Sequence, residues 1–338
     1  DALIADRDVR NSLKAQLQSG KLIGASTFHT TVPQNATFEA KNDPFIFGLV
    51  ERLDIGEQCA RLSLPEAPHG QPAYTCPLVA AASGKICGGT LDLRHNVQCN
   101  TQLNGKVVQH DAGLMQFWRP TLMGDIGLPS TECEPQGTVD LLGSDGAGSR
   151  RKPFDARWSQ HPSSYLQGFD LTYGHPSSPG YGEVSGVTGL SSAARTPGFV
   201  IHTLERKKNN NFTKLPMIGG GMARDCVQAL GVEATTGGWG KSGVEVLREL
   251  AKIKHPGDDR DPSTVRLRAA WRTRTMRAHT FALLRFRFDV AVRKRYLIEL
   301  GLFAKFGPSI AARMMTKAES WGFDHAQARA SRGGGGGG

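Results

Sequence analysis

The chain has 338 residues, 39% of them hydrophobic, and a formal net charge of +10. That length can bury a core in one large or two ordinary domains, and the apolar content excludes wholesale disorder. The 41 glycines and 18 prolines follow no Gly-x-y period, which excludes collagen, and uncharged apolar runs such as PLVAAA at 77–82 fall far short of the ~18 residues a membrane-spanning helix needs.

Residues 6–19, DRDVRNSLKAQLQS, read as a helix: Asp6 can cap it, Val9, Leu13 and Leu17 recur at i+4, and Gly20 suits the stop. From 22 to 150, short apolar or alternating runs (LIGASTFHTTV, FIFGLV, ARLSL, GGTLDLRHNVQC, KVVQH, TVDLL) are separated by turn residues, which is the texture of strands. Residues 1–150 are therefore expected to form a mainly β body behind an N-terminal helix.

Six cysteines (Cys59, Cys76, Cys87, Cys99, Cys133 and Cys226) are too few for a disulfide scaffold. Cys76, Cys87, His95 and Cys99 form C-x10-C-x7-H-x3-C, which has the ligand types of a tetrahedral zinc site. The short C-x2-C knuckle that aims two thiolates at one ion is missing. Buried free thiols are the simpler expectation, with no cofactor; one or two disulfides come second, and zinc is a further alternative. The sequons at Asn35 and Asn211 matter only for a secreted chain.

GSDGAGSRRKP (143–153) reads as a flexible boundary. The stretch 159–198 is rich in Ser, Pro, Gly and Tyr and repeats His-Pro-Ser-Ser at 161 and 175, so 151–214 is expected to be an extended arm that follows a neighbouring molecule, the alternative being a binding loop that presents Tyr165, Tyr173 and Tyr181. Short helices are expected over 215–260. One lies in GGGMARDCVQALG, and another in SGVEVLRELAKIK behind a Ser242–Glu245 capping box. TTGGWGKS matches the Gly-Lys-Ser end of a phosphate-binding loop. However, Thr235 stands where the first glycine belongs, and CVQALGVEA reads as helix rather than the strand such a loop follows. Neither G-x-S-x-G nor HExxH occurs, and no catalytic residue is assigned.

Charge is segregated along the chain. Residues 1–150 hold 12 Lys and Arg against 16 Asp and Glu, whereas 262–338 hold 15 against 4. Asp261-Pro262 supplies a cap and a first-turn proline for a basic helical region, 261–338, that ends in a poly-Gly stretch. Within it LRFRFDVAV (284–292) has strand-like alternation but no flanking turn residues, and helix is expected. VRLRAAWRTRTMRAHTFALLRFRF interleaves arginine with aromatic residues, the combination that phosphate contact and base stacking require. Arg266, Arg268, Arg272, Arg274, Arg277, Arg285 and Arg287 are expected to contact RNA or another anion, and Trp271 to stack or pack. Lys207 and Lys208 in ERKKNNNF (205–212) add a second basic loop.

The fold class expected is α+β: a strand-and-turn-rich N-terminal body, long irregular loops, and a basic α-helical C-terminal region. The function expected is a non-catalytic structural subunit of a large organellar assembly, an RNA-contacting protein of the mitochondrial ribosome. One alternative is an accessory subunit of a respiratory or ATP synthase complex, with its tail on other subunits or anionic lipid. Another is a secreted disulfide-containing enzyme or lectin-like β protein. A basic chain that starts at Asp1 fits a mitochondrial protein after transit-peptide removal, with secretion as the alternative.

Overall fold

The computed structural model describes residues 11, 13–25, 45–46, 48–49, 106–128, 131–133, 154–176, 189–212, 217–218, 221–222 and 226–299. In chain order, helix α1 (13–19) precedes a helical run that begins as α2 (Lys106–Ala112) and widens into π-helical turns, Gly113–Trp118 and Thr121–Ile126. Three strands follow: β1 (Glu132–Cys133), β2 (Ala156–Arg157) and β3 (Gly168–Gly174). Next come α3 (Gly189–Ala193), α4 (Phe199–Phe212), a small hairpin of β4 (Met217–Ile218) and β5 (Gly221–Met222), and β6 (Val227–Glu233). Two helices close the described chain, α5 (Lys241–Lys254) and the 38-residue α6 (Pro262–Glu299).

The architecture is α+β around a mixed sheet of order β1-β2-β3-β6. β1, β2 and β3 run antiparallel, then α4 carries the chain over to β6, which pairs parallel to β3 with Leu171 opposite Leu230. Alternation along β3 explains its seat. Phe169, Leu171 and Tyr173 point to one face and are buried with Trp118, Trp239, Leu247, Leu250, Trp271 and Leu283. Each such side chain contributes about 1.5–3 kcal/mol by leaving water. The opposite face of β3 lies under α4, where Gly174 gives Val200, Ile201 and Leu204 room to approach.

Several expectations change. KVVQH is the start of α2 rather than a strand, and the described residues of FIFGLV (45–46 and 48–49) are helical. The stretch expected as an arm contains β3 and α4, because the large apolar side chains alternating at Phe169, Leu171 and Tyr173 give one face of a strand to the core and outweigh the surrounding Ser, Pro and Gly. CVQALGVE is strand. A parallel strand buried on both faces has no polar alternation to betray it, and its Gln, Ala and Leu mimic a helix. The capping box is absent: Gly240 is the N-cap of α5 and makes no side-chain bond. Asp261 does cap α6, accepting the amides of Ser263 at 3.2 Å and Thr264 at 3.0 Å. LRFRFDVAV continues that helix.

Candidate functional site

Four chemically capable side chains converge from four elements at the start of β2. Asp155 directly precedes β2 and Asp170 lies on β3, so antiparallel pairing of Ala156 with Phe169 brings the two carboxylates together across the strands. His110 comes from α2 and Lys208 from α4. His110 Nε2 donates to Asp155 Oδ2 at 2.9 Å, and its Nδ1 donates to Asp111 Oδ1 at 3.0 Å. The Leu171 amide donates to the same Asp155 oxygen at 2.6 Å. Lys208 Nζ donates to the Asp170 carboxylate and, at 3.1 Å, to the Leu171 carbonyl.

Electrostatics divides the labour. Burial pushes His110 toward neutrality, but the Asp155 charge and the hydrogen bonds to Asp111 and Asp155 overturn that and lift it to about 9, so it stays an imidazolium. Asp155 is likewise penalised by burial yet held below its ordinary range, chiefly by the His110 charge and then its hydrogen bond. Asp170 goes the other way. Burial and the neighbouring Asp155 charge push it up to about 7 against the pull of Lys208, and a hydrogen bond joins the two carboxyl groups. Asp155 is thus held ionised while Asp170 titrates near neutral pH, because two like charges in contact cannot both ionise cheaply. The side chains of Asp170 and Lys208 keep 15% and 24% exposure, so solvent reaches one end of the cluster.

Cys133, on the neighbouring β1, is pushed up to about 11 by burial and remains a thiol. Among the described residues no group of three or more His, Cys, Asp or Glu is placed to hold a metal ion. Two adjacent carboxylates are nonetheless what a hydrated Mg²⁺ uses, since it keeps several waters and takes the rest of its oxygens from substrate phosphates.

The residues expected at an anion site are scattered. Arg266, Arg274 and Arg277 are exposed on α6 and lie within an arc of about 80° over roughly 16 Å of its axis. Arg268 is taken up inside the chain by the Asp259 carboxylate and by the carbonyls of His255 and Gly257, each at 2.9 Å. Arg272 is half-buried near Arg248, Arg285 is half-buried, and Arg287 is buried and donates to the Ala234 carbonyl. Trp271 is a core residue whose indole N–H donates to Asp125 Oδ2 at 2.6 Å. Lys207 is exposed, whereas Lys208 belongs to the carboxylate cluster. Cys76, Cys87, His95 and Cys99 lie outside the described residues.

His110, Asp155 and Asp170 escaped the sequence reading because they are spread over 61 positions and share no short motif. The one local signal was an acidic residue at a polar position of an otherwise apolar alternating run, GFDLTYG. Comparison of the chain with protein-family models, curated proteins and solved structures finds no match.

Proposed function

We propose that the protein binds nucleic acid and hydrolyses phosphodiester bonds at the Asp155–Asp170–Lys208 cluster. The observation that carries this reading is the cross-strand pair of largely buried carboxylates, Asp155 and Asp170, with the Lys208 ammonium from a third element on Asp170. Burying that many ionisable groups is expensive, and such convergence is a mark of chemistry. When both are ionised, Asp155 and Asp170 offer two hard anionic oxygen donors on adjacent strands, through which Mg²⁺ or Mn²⁺ would be held. The metal would lower the pKa of a bound water. Attack of such a water on phosphorus would release one proton to solvent and break the bond to the leaving oxygen, which would take up a proton from solvent in turn. Lys208 is placed to offset the charge that grows on the phosphate. His110, tied to Asp111 and Asp155, keeps Asp155 ionised and aimed. The outward Arg266, Arg274 and Arg277 supply phosphate contacts that carry no sequence information.

The test is cleavage of duplex DNA and of RNA with Mg²⁺ or Mn²⁺, beside titration calorimetry of either metal. Asp170→Asn and Lys208→Met are expected to lower turnover at least 100-fold while nucleic-acid binding persists. Full activity in Asp170→Asn would overturn the reading.

The exposed arginines favour a second reading, a non-catalytic RNA-contacting subunit of a large assembly such as the mitochondrial ribosome. Salt-sensitive RNA binding by a wild-type protein that never cleaves would select it.

A further inference from the structure

We infer that Glu205 is a positioning residue for Lys208, locking α4 to β6 and α5 so that the lysine ammonium reaches the Asp155–Asp170 pair. The inference rests on the hydrolytic reading only in giving that ammonium a task.

Glu205, Lys208 and Asn209 are three and four residues apart, hence on neighbouring turns of one side of α4. The Glu205 carboxylate is buried and accepts the amides of Gly243 at 2.8 Å, Ser242 at 3.1 Å and Gly231 at 3.2 Å. Asn209 repeats the anchor one turn later. Its Oδ1 accepts the Ala229 amide at 2.8 Å, and its Nδ2 donates to Ser242 Oγ at 3.2 Å.

The chain makes room for this contact. A Cβ at Gly240 would stand 2.3 Å from Glu205 Oε1, and one at Gly231 would stand 2.6 Å from its Cγ. A serine or aspartate at position 240 could have capped α5 locally. Bringing a carboxylate across from α4 does more, because it fixes the rotation of the helix. Each residue of rotation is 100°, so slippage by one position would swing Lys208 out of reach of Asp170.

Glu205→Gln keeps the side-chain length but turns one acceptor into an NH₂ group facing N–H donors. With Mg²⁺ and a nucleic-acid substrate, kcat is expected to fall at least tenfold and KM to stay within twofold. Acetylation of Lys208 by acetic anhydride, read by mass spectrometry against the exposed Lys207 in the same molecule, is expected to rise at least threefold. Glu205→Asp, which keeps the charge, should recover part of both effects, and it decides the matter by the same readouts where the glutamine variant does not fold. A folded variant with unchanged Lys208 protection overturns the inference. Absence of hydrolysis by the wild type, with Lys208 protection still lost on substitution, removes the proposed activity and leaves the positioning role standing.

Discussion

The hydroxyl of Tyr173 on β3 meets Nε2 of His279 on α6 at 2.9 Å, with the two rings stacked 5.8 Å apart. Burial pushes His279 down to about 3, so it is a neutral imidazole hydrogen-bonded through Nε2 to the tyrosine. Phe117, Trp118 and Trp239 pack around it at ring separations of 4.9, 5.6 and 5.2 Å. The pair ties the long helix to the sheet. Tyr173→Phe deprives a buried nitrogen of its hydrogen-bond partner and is expected to cost about 1–3 kcal/mol. Urea unfolding at neutral pH measures this, and an unmoved midpoint would show that the bond contributes nothing.

Stability should follow pH in an unusual sense. Glu233 is fully buried, and burial pushes it up to about 8. Its folded value exceeds its unfolded one, so the associated stability is complete below pH 4.5 and lost as pH rises through 8. Asp170 and Glu205, both near 7, act in the same direction, and so does His110, whose contribution fades between 6.5 and 9. His279 opposes them, losing its contribution as pH falls from 6.5 toward 3. The protein is expected to be most stable in mildly acidic solution and to weaken toward pH 9. Glu233→Gln should flatten that alkaline loss by a few kcal/mol, at about 1.4 kcal/mol per pH unit for one proton. Unfolding free energies of both proteins at pH 5 and pH 9 test the sign as well as the size.

Among the basic residues of α6, some face outward and others are tied into the fold. Replacing Arg266, Arg274 and Arg277 together by alanine should reduce the slope of log affinity against log salt on duplex DNA by about 2.7, at ~0.9 per phosphate contact. Arg268→Ala and Trp271→Phe should leave that slope unchanged while lowering the melting temperature, because their partners are Asp259 and Asp125 within the fold. A slope that responds to Trp271→Phe would mean the indole is not where the core places it.

Two glycines make a matched pair. Gly240→Ala puts a methyl against the Glu205 carboxylate and should cost about 1–3 kcal/mol. Gly124, in the second π turn, has nothing within 4 Å of its would-be Cβ. Gly124→Ala should be neutral, or stabilising by up to about 1 kcal/mol. Chemical denaturation of the two variants side by side checks both.

Local patterning made part of this fold legible. The stripe Val246, Leu247, Leu250 and Ile253 announced α5, and Asp261-Pro262 announced the start of α6. β6 misled because a strand covered on both sides shows no alternation, and that error also concealed a genuine strand–loop–helix ahead of Gly240-Lys241-Ser242. Even so, the amides that a phosphate would seek there are occupied by Glu205, a residue no spacing rule connects to them. The basic tail was legible as charge but not as geometry. Which arginines face outward depends on where Trp271, Thr275 and His279 turn the helix inward, and that is settled by packing. The carboxylate cluster was invisible for the same reason, since strand register and a crossover helix assemble it.

Asn209 and Glu205 occupy the outward amides of Ala229 and Gly231 on the sheet's last described strand. An edge treated this way cannot recruit a strand from another molecule, and the segment VQALGVE, apolar and nearly uncharged, would otherwise be a template for one. Loss of Glu205 would therefore carry a second penalty beside lost chemistry: self-association into aggregates during synthesis, which the intact chain escapes by insulating its own border.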